Sequence, residues 1–280
     1  MPTKLVHISD LHFAARDADQ PAALARSIES VAPDAIVVTG DLTRNGRRAE
    51  FDAAGEFLGG LSAPKLVVPG NHDIPVFHPM QRALSPFSRF AAHFGSADLS
   101  VQETPDVLIV GMNTAYGYRL GLDWSLGRIS ARGLARVLDA LRTRKAGRLA
   151  IVACHHPLCP NPVDGQRSRT SGGPAAFAAL AEAGMDILLH GHLHRALVRR
   201  HAEGPTEICA NTALSDRERD GASGYNAIVA ESGNWQLSTV SWRDGVYAPD
   251  SSRASAGDGR ISPRPDNTSD YSRLDRNTSS

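Results

Sequence analysis

The sequence predicts an α/β fold in which two mixed β-sheets pack as a sandwich flanked by helices. From the N-terminus to about residue 194, short apolar runs alternate with stretches whose apolar residues recur at helical spacing. Beyond that point, strand-like runs follow one another with no helical stretch between them, which is typical of antiparallel strands. Alternating elements followed by hairpins indicate two packed sheets with helices on the outside.

The predicted elements follow in order along the chain. Short apolar runs predict strands at residues 5–9, 35–39, 65–68, 107–112, 149–154 and 186–190. The helices predicted between them span residues 21–32, 49–58, 86–94, 131–142 and 175–183. Ser85 and Pro86 are typical of an N-cap and a first helical position, and Ser130 is typical of a second N-cap. Later strands are expected at residues 196–201, 206–210, 225–230 and 236–242.

The composition of the 280-residue chain predicts one domain over residues 1–248. Residues 249–280 contain almost no apolar side chains, so they are expected to form a disordered tail. Thirty basic and thirty acidic side chains cancel, so no net charge favours nucleic acid or an anionic membrane. No apolar run approaches the ~20 residues needed to span a bilayer, and three cysteines form no regular disulfide framework. These features favour a cytoplasmic protein.

Five short patches, each at the end of a strand-like run, carry residues that bind metals. They read Asp10-x-His12, Gly40-Asp41, Gly70-Asn71-His72-Asp73, His155 and Gly191-His192-x-His194. Residues two apart in a strand point to the same side. Asp10 and His12 are therefore expected to be able to bind one ion together, and so are His192 and His194. Ligands in open α/β sheets bind outside the carboxyl ends of strands, where all five patches fall. The glycines are expected to admit sharp turns where a Cβ atom would crowd the site.

The residue types in these patches indicate a two-metal hydrolytic centre. Mixed Asp, His and Asn ligation without a thiolate favours two divalent or mixed-valence ions of Mn, Fe or Zn. Two carboxylates leave such a centre with a net positive charge, which suits a small phosphorylated substrate. Two ions about 3.5–4 Å apart can activate a water and stabilise both in-line oxygens of the displacement.

These residues resemble the calcineurin-like metallophosphoesterase superfamily. The superfamily pattern D-x-H, GD, GNH(D/E), a lone H and GHxH is matched in order by HISDLH, TGDLT, PGNHD, ACHHP and HGHLH. The chain is most similar in pattern to bacterial class III cyclic-nucleotide phosphodiesterases. The resemblance implies the four-layer fold of the superfamily. It also implies a phosphodiesterase that hydrolyses a small diester such as a cyclic nucleotide by attack of a metal-bound hydroxide.

The resemblance also implies a role for each residue. One metal would be held by Asp10, His12, Asp41 and His194, and the other by Asp41 as a bridge, Asn71, His155 and His192. Together with Asn71, His72 would contact the substrate phosphate, and it would stabilise the transition state or help to protonate the leaving group. Asp73 would orient His72. Adjacent strand residues face opposite sides, so His156 is expected to lie behind the ligands, and His190 is expected to be packed or hydrogen-bonded.

Two loops are expected to influence specificity. Residues 115–129 contain Tyr116 and Trp124, whose rings could stack a base, and residues 159–173 contain Arg167 and Arg169, which could clamp a second phosphate. A phosphomonoesterase and a nucleotide pyrophosphohydrolase are alternatives that use the same centre. A non-catalytic scaffold with this fold would lack key metal-binding or catalytic histidines, and this chain retains the whole set.

Overall fold

The computed structural model describes residues 1–13, 19–117, 123–202, 204–214 and 222–250, and the backbone of residues 259–260. The helices are α1 (Asp19–Val31), α2 (Arg48–Gly59), α3 (Pro79–Leu84), α4 (Ser88–Phe94), α5 (Ala131–Arg142) and α6 (Gly173–Glu182). The strands are β1 (Thr3–Ile8), β2 (Ala35–Thr39), β3 (Lys65–Val68), β4 (Leu99–Glu103), β5 (Val107–Met112), β6 (Gly127–Arg128), β7 (Leu149–Ala153), β8 (Thr170–Ser171), β9 (Ile187–His190), β10 (Leu197–Arg200), β11 (Thr206–Cys209), β12 (Gly224–Glu231), β13 (Asn234–Arg243), β14 (Val246–Pro249) and β15 (Gly259–Arg260).

Two mixed sheets form the centre of the fold. The first has the order β14-β13-β12-β1-β2-β3, in which β1, β2 and β3 are parallel and β12 is antiparallel to β1. The second has the order β10-β11-β9-β7-β5-β4, in which β11, β9, β7 and β5 are parallel. The strands after His194 are divided between the sheets, because β10 and β11 extend the second sheet whereas β12, β13 and β14 complete the first.

Apolar side chains fill the spaces between successive layers. The layer between the two sheets includes Leu5, Val37, Leu66, Ile109, Ile151, Leu189, Ile208 and Trp235. Leu24, Ile28 and Phe51 of α1 and α2 cover the outer face of the first sheet, and Val137, Leu141 and Leu180 of α5 and α6 cover the outer face of the second. The resulting order of helix, sheet, sheet and helix confirms the predicted four-layer α/β sandwich.

The chain between β3 and β4 differs from the prediction of one helix over residues 86–94. Helix α3 forms first, with Pro79 at its first turn, and the N–H of Ser85 donates to the carbonyl of Gln81 as its last bond. Ser85 therefore ends a helix instead of beginning one. Pro86 lacks an N–H and lies in the turn before α4, whose N-cap is Phe87.

Helix α5 begins where the sequence predicts it. The Oγ of Ser130 accepts a hydrogen bond from the backbone N–H of Gly133 at 3.2 Å, and this confirms Ser130 as the N-cap. Within the described ranges, no helix has both the length and the hydropathy needed to cross a membrane.

The predicted boundary between residues 248 and 249 falls at the end of the last long described segment. Strand β14 ends at Pro249, and the carboxylate of Asp250 accepts hydrogen bonds from Ser241 and Arg243, each at 3.2 Å. Residues 251–258 and 261–280, which make up most of the predicted tail, lie outside the described residues. The division into a domain and a disordered tail stays a prediction.

Glu207, in β11, is a buried carboxylate surrounded by basic side chains. It is 1% exposed, its Oε1 lies 3.2 Å from Nε2 of His190, and its Oε2 accepts from Nε of Arg199 at 2.7 Å. Burial alone would raise the pKa of Glu207, but the hydrogen bond and charge of His190, together with Arg199, lower it to about 2. His190 is thus a packed, hydrogen-bonded histidine.

The substitution Glu207→Gln is expected to lower the free energy of unfolding at neutral pH by roughly 3 kcal/mol. A carboxylate with a depressed folded pKa contributes stability above its ordinary pKa of 4.5 and loses it as the pH falls through about 2. The difference between wild type and variant should therefore shrink at acidic pH. Urea unfolding at a series of pH values measures this difference.

The matched control is Glu103→Gln, which removes a half-exposed carboxylate paired with Arg148. It should change the free energy of unfolding by less than about 1 kcal/mol, because exposed ion pairs contribute little. A Glu207→Gln deficit that stays constant from neutral to acidic pH would contradict the assigned pKa shift.

Candidate metal centre

The five patches converge at the carboxyl ends of strands in both sheets. Asp10 follows β1, Asp41 follows β2 and Asn71 follows β3 in the first sheet, while His155 follows β7 in the second. The remaining patch, residues 191–194, follows β9 of the second sheet. The N–H of Asp10 donates to the carbonyl of Gly40 at 3.0 Å, so the first two patches are joined directly. The site therefore lies along one edge of the sandwich, between the two sheets.

Four of the predicted ligands form a first group, which consists of Asp10, His12, Asp41 and His194, all buried. Their ligand atoms all lie within 4.8 Å of one another. Nε2 of His194 lies 3.1 Å from Oδ1 of Asp10 and 3.2 Å from Nε2 of His12. Oδ2 of Asp41 lies 3.9 Å from Nε2 of His12. These contacts give the group two carboxylates and two imidazoles around one point.

A second group adjoins the first through Asp41. Nε2 of His155 lies 3.3 Å from Oδ2 of Asp41 and 3.2 Å from Oδ1 of Asn71. The ring centroid of His192 lies 5.2 Å from that of His155. The same carboxylate oxygen of Asp41 therefore faces a histidine of each group, as a bridging ligand would.

The donor atoms of both groups fit a pair of cations. Nε2 of His192 is buried and has no hydrogen-bond partner among the residues that the structure describes. Nε2 of His12 faces Nε2 of His194 at 3.2 Å, and two imidazole nitrogens attract each other at that distance only through a shared proton or cation. Buried nitrogens of this kind beside carboxylate oxygens match the ligand preferences of Mn, Fe and Zn.

Backbone carbonyls set the tautomers of two histidine ligands. Nδ1 of His155 donates to the carbonyl of Thr39 at 2.7 Å, and Nδ1 of His12 donates to the carbonyl of Thr43 at 3.3 Å. Because a carbonyl only accepts, Nδ1 of each ring carries a proton, and Nε2 is the atom directed at Asp41. These supporting groups were not predicted from the sequence, since a carbonyl oxygen carries no residue-type signal.

His156 lies against the ligands but has both ring nitrogens occupied. Nδ1 is hydrogen-bonded to Oγ1 of Thr114 at 2.8 Å, and Nε2 donates to the carbonyl of Ser125 at 3.0 Å. Its ring packs 4.7 Å from that of His155 and 4.6 Å from that of His192, measured between centroids. His156 therefore supports the ligand rings from behind.

Most of the buried groups have the protonation state that metal ligation requires, and His155 is the exception. Burial lowers the pKa of His12 to about 4 and that of His192 to about 3, so both are neutral near pH 7. Burial alone would raise the pKa of Asp41, but His155 holds it well below its usual value. In return Asp41 outweighs burial and raises the pKa of His155 to about 9, so a proton competes with a cation for that ring.

Left-handed backbone conformations are concentrated at the ligands. Five of the eight described non-glycine residues with positive φ are ligand candidates, namely Asp10 (54°), His12 (46°), Asp41 (52°), His192 (68°) and His194 (54°). Such a conformation costs roughly 1–2 kcal/mol for a residue with a Cβ atom. Strain of this kind is stored where function needs the side chain in one direction.

This backbone geometry corrects the prediction that the alternation of side chains along a strand places Asp10 with His12, and His192 with His194, on one ion each. Asp10 and His12 do share a group, but they lie beyond the end of β1 in left-handed turns. His192 falls in a group with His155 and His156, whereas His194 falls in the group of Asp10, His12 and Asp41, and both residues have left-handed backbones. Strand alternation therefore does not describe either pair.

Two glycines allow the patches to approach closely. A Cβ atom on Gly70 would lie 2.1 Å from Oδ1 of Asp41, and one on Gly191 would lie 1.8 Å from Oγ of Ser9 and 2.4 Å from Oδ2 of Asp10. Neither position can hold a larger residue without moving a ligand carboxylate. The predicted reason for glycine at these two positions is confirmed.

His72 lies at the edge of the centre, half-buried, where it can meet a substrate. Its N–H donates to Oδ1 of Asp41 at 2.8 Å, and its ring contacts that of His12 edge-on with centroids 4.9 Å apart. Nδ1 of His72 donates to the carbonyl of Arg44 at 2.7 Å, and Nε2 has no hydrogen bond to any of the described residues. The carboxylate of Asp73 instead accepts from Thr43 and from the N–H of Gly70. Asp73 therefore holds the loop, while a carbonyl holds the His72 ring directly.

The predicted specificity residues are not in contact with the ligands. Tyr116 lines a cavity of about 350 Å³ with Asn113 and Arg132, and none of the metal-ligand candidates lines that cavity. Arg167 and Arg169 are exposed in or beside the turn Pro162–Ser168, and no contact recorded in the described ranges joins them to a ligand. Residues 118–122, which belong to the predicted loop at residues 115–129 that contains Tyr116, lie outside the described residues.

Comparison with known proteins agrees with this geometry. A family model for calcineurin-like phosphoesterases matches residues 3–196. A glycerophosphodiester phosphodiesterase of Enterobacter lignolyticus is 39% identical over 80 residues, which cover 25% of this chain and 29% of that protein. A probable cyclic nucleotide phosphodiesterase of Rhodopseudomonas palustris is 29% identical over 213 residues, which cover 69% of this chain and 72% of that protein.

A solved structure shares the fold along nearly its whole length. The dimetal phosphatase of Danio rerio superposes with a TM-score of 0.64 at 12% identity, over 93% of this chain and 99% of that one. At this level of identity the likeness concerns the fold.

Proposed function

The chain belongs to the calcineurin-like phosphoesterase family, and on that basis we propose that it is a two-metal phosphodiesterase acting on a small diester such as a cyclic nucleotide. The observation that carries the proposal is the position of Asp41. One of its oxygens faces a histidine of each ligand group, and the other accepts the N–H of His72. The carboxylate of Asp41 thus connects both candidate metal positions to His72, the candidate general acid.

We assign the ligands by the two groups. Asp10, His12, Asp41 and His194 would hold one ion, and Asp41, Asn71, His155 and His192 would hold the other. Ions of Mn, Fe or Zn, when bound, supply Lewis acidity toward the phosphoryl oxygens and lower the pKa of water. Asn71 contributes an oxygen without a negative charge, so the centre keeps a positive charge that attracts the phosphate.

The residues of the chain supply orientation and a proton. The carbonyls of Thr39 and Thr43 hold the rings of His155 and His12, so that their Nε2 atoms stay directed at Asp41. His72, held by the carbonyl of Arg44, presents Nε2 at the open side of the centre, where it can hydrogen bond to a phosphoryl oxygen or to the departing alcohol. Two relatives named as phosphodiesterases favour a diester over the monoester and pyrophosphate alternatives.

The substitution Asn71→Ala is expected to lower kcat/KM by about a hundredfold or more, because it removes one oxygen ligand from the second group. The assay uses metal-reconstituted protein with bis(4-nitrophenyl) phosphate, 4-nitrophenyl phosphate and cyclic AMP as substrates. Asn234→Ala, at an exposed position of β13, is the matched control and should keep wild-type activity.

The same panel separates the alternatives. Faster turnover of 4-nitrophenyl phosphate than of either diester would indicate a phosphomonoesterase. Absence of turnover of all three substrates by metal-loaded wild type would rule out the proposed activity. An Asn71→Ala variant as active as Asn234→Ala would contradict the assigned ligand set.

A further inference from the structure

Arg82 in α3 is a buried cation that has no counter-ion among the residues that the structure describes. The residue is 7% exposed, and its Nε is buried without a hydrogen-bond partner. Within the part of the chain that the structure describes, no carboxylate or carbonyl accepts a hydrogen bond from its guanidinium. Burying a guanidinium in this way is unfavourable, and most buried arginines have an anionic partner.

Among the described residues, the guanidinium contacts an aromatic ring. The Cζ atom of Arg82 lies 4.5 Å from the ring centroid of Trp124, a cation–π contact that offsets part of the desolvation. Trp124 is 47% exposed, so one side of the indole remains open to solvent. The pair thus combines a buried positive charge with an accessible aromatic surface.

The pair joins two segments, called here the two walls of the metal centre: the segment that contains Ser125 and the segment from the His72 patch to α3. Trp124 directly precedes Ser125, whose carbonyl accepts from Nε2 of His156, and the ring of His156 packs on His155 and His192. On the other wall, α3 follows the patch that contains His72, and the N–H of Val76 donates to the carbonyl of Asn45. Arg82 therefore connects the wall that carries His72 to the wall that supports the ligand rings.

We propose that Arg82 and Trp124 bind a second anionic group of the substrate, which identifies the substrate as a diester whose alcohol carries a further phosphate or carboxylate. The inference rests on the proposed phosphodiesterase activity. A planar guanidinium with five donors pairs with such a group through two parallel hydrogen bonds, and the open face of Trp124 can stack a base or a sugar attached to it. A cyclic nucleotide with a single phosphate could still be hydrolysed at the metal centre, but it would not use the anion site at Arg82.

A matched pair of dinucleotides tests the proposal. Adenylyl-(3′→5′)-adenosine with a 5′-terminal phosphate supplies the second anion, and the same dinucleotide without that phosphate does not. Wild type is expected to favour the phosphorylated form by about tenfold or more in KM, as a charge-assisted pair would. Equal KM values for the two dinucleotides would overturn the proposal.

The variants distinguish binding from a purely structural role. Arg82→Gln should lose the preference for the phosphorylated dinucleotide. Arg82→Lys should recover part of that preference, because lysine keeps the positive charge but lacks the planar pair of N–H donors. Arg142→Gln removes an exposed arginine near the end of α5, paired with Asp139, and should retain the preference. If Arg82→Gln slows both dinucleotides equally and keeps the wild-type ratio, the arginine connects the two walls and does not contact substrate.

A binding measurement keeps the inference separate from the activity. Calorimetric titration of metal-loaded wild type and Arg82→Gln with non-hydrolysable methylenephosphonate analogues of both dinucleotides reports the terminal phosphate contact without hydrolysis. The phosphorylated form should bind about tenfold more tightly to wild type and equally to the variant. Failure of the proposed function would appear as no turnover of bis(4-nitrophenyl) phosphate, whereas failure of this inference would appear as equal affinities here.

Discussion

The substitution Asp41→Asn is expected to lower kcat/KM for a diester by at least about 10³-fold, because in the proposed centre this one carboxylate would hold both ions. Oδ2 of Asp41 lies 3.9 Å from Nε2 of His12 and 3.3 Å from that of His155, so it serves both ligand groups. An asparagine in its place would present either a neutral oxygen or an N–H at that point. The variant should therefore also bind fewer metal ions.

The measurement combines steady-state kinetics with metal content after reconstitution and desalting. Asp34→Asn is the matched control, because that exposed carboxylate accepts the N–H of Lys4 at the opposite end of the parallel strands. It should keep both activity and metal content. An Asp41→Asn protein that retains two ions and wild-type kinetics would show that this carboxylate does not bridge the centre.

The substitution His72→Ala is expected to reduce kcat by about 10²–10⁴-fold while leaving the metal content unchanged. The contact between His72 and Asp41 is made by the backbone N–H, which the variant keeps. What the variant loses is the imidazole, whose Nδ1 is held by the carbonyl of Arg44 and whose Nε2 is free to meet the substrate. The loss should therefore appear in the chemical step.

Leaving groups of different basicity test the role of that ring. If His72 protonates the departing oxygen, the variant should be impaired much more with an alkyl or sugar leaving group than with 4-nitrophenolate, which leaves without a proton. His93→Ala removes a histidine paired with Asp52 in the helical layer and serves as the control. An equal loss for both leaving groups would assign His72 to phosphate binding alone.

The strands and helices of the core were largely readable from the sequence. The predicted strands at residues 35–39, 65–68 and 107–112 coincide with β2, β3 and β5, and the predicted helix at 131–142 coincides with α5. These elements are apolar runs buried on both faces or a helix with one buried stripe, so local pattern and tertiary packing agree. Strand β4 was not predicted, because it is an edge strand with a half-exposed pattern that forms by pairing with β5.

The sequence by itself determined which residues could form the metal centre. Metal ligation requires particular side chains, and five patches at strand ends contain Asp, Asn and His in an order that parallel strands bring to one edge. It also determined the family, because the match extends over residues 3–196. Metal ligation depends on the type of side chain, so its candidate residues can be predicted from the sequence alone.

The tertiary structure alone decided how these residues are arranged. His192 and His194 lie in different candidate ligand groups with left-handed backbones, and the carbonyls of Thr39 and Arg44 determine which ring nitrogen of His155 and of His72 faces the site. Backbone torsions and carbonyl contacts depend on chain segments that are distant in sequence, so no local pattern encodes them. The contact of Arg82 with Trp124 was not predicted for the same reason, because it joins helix α3 to a loop that is distant from it in sequence.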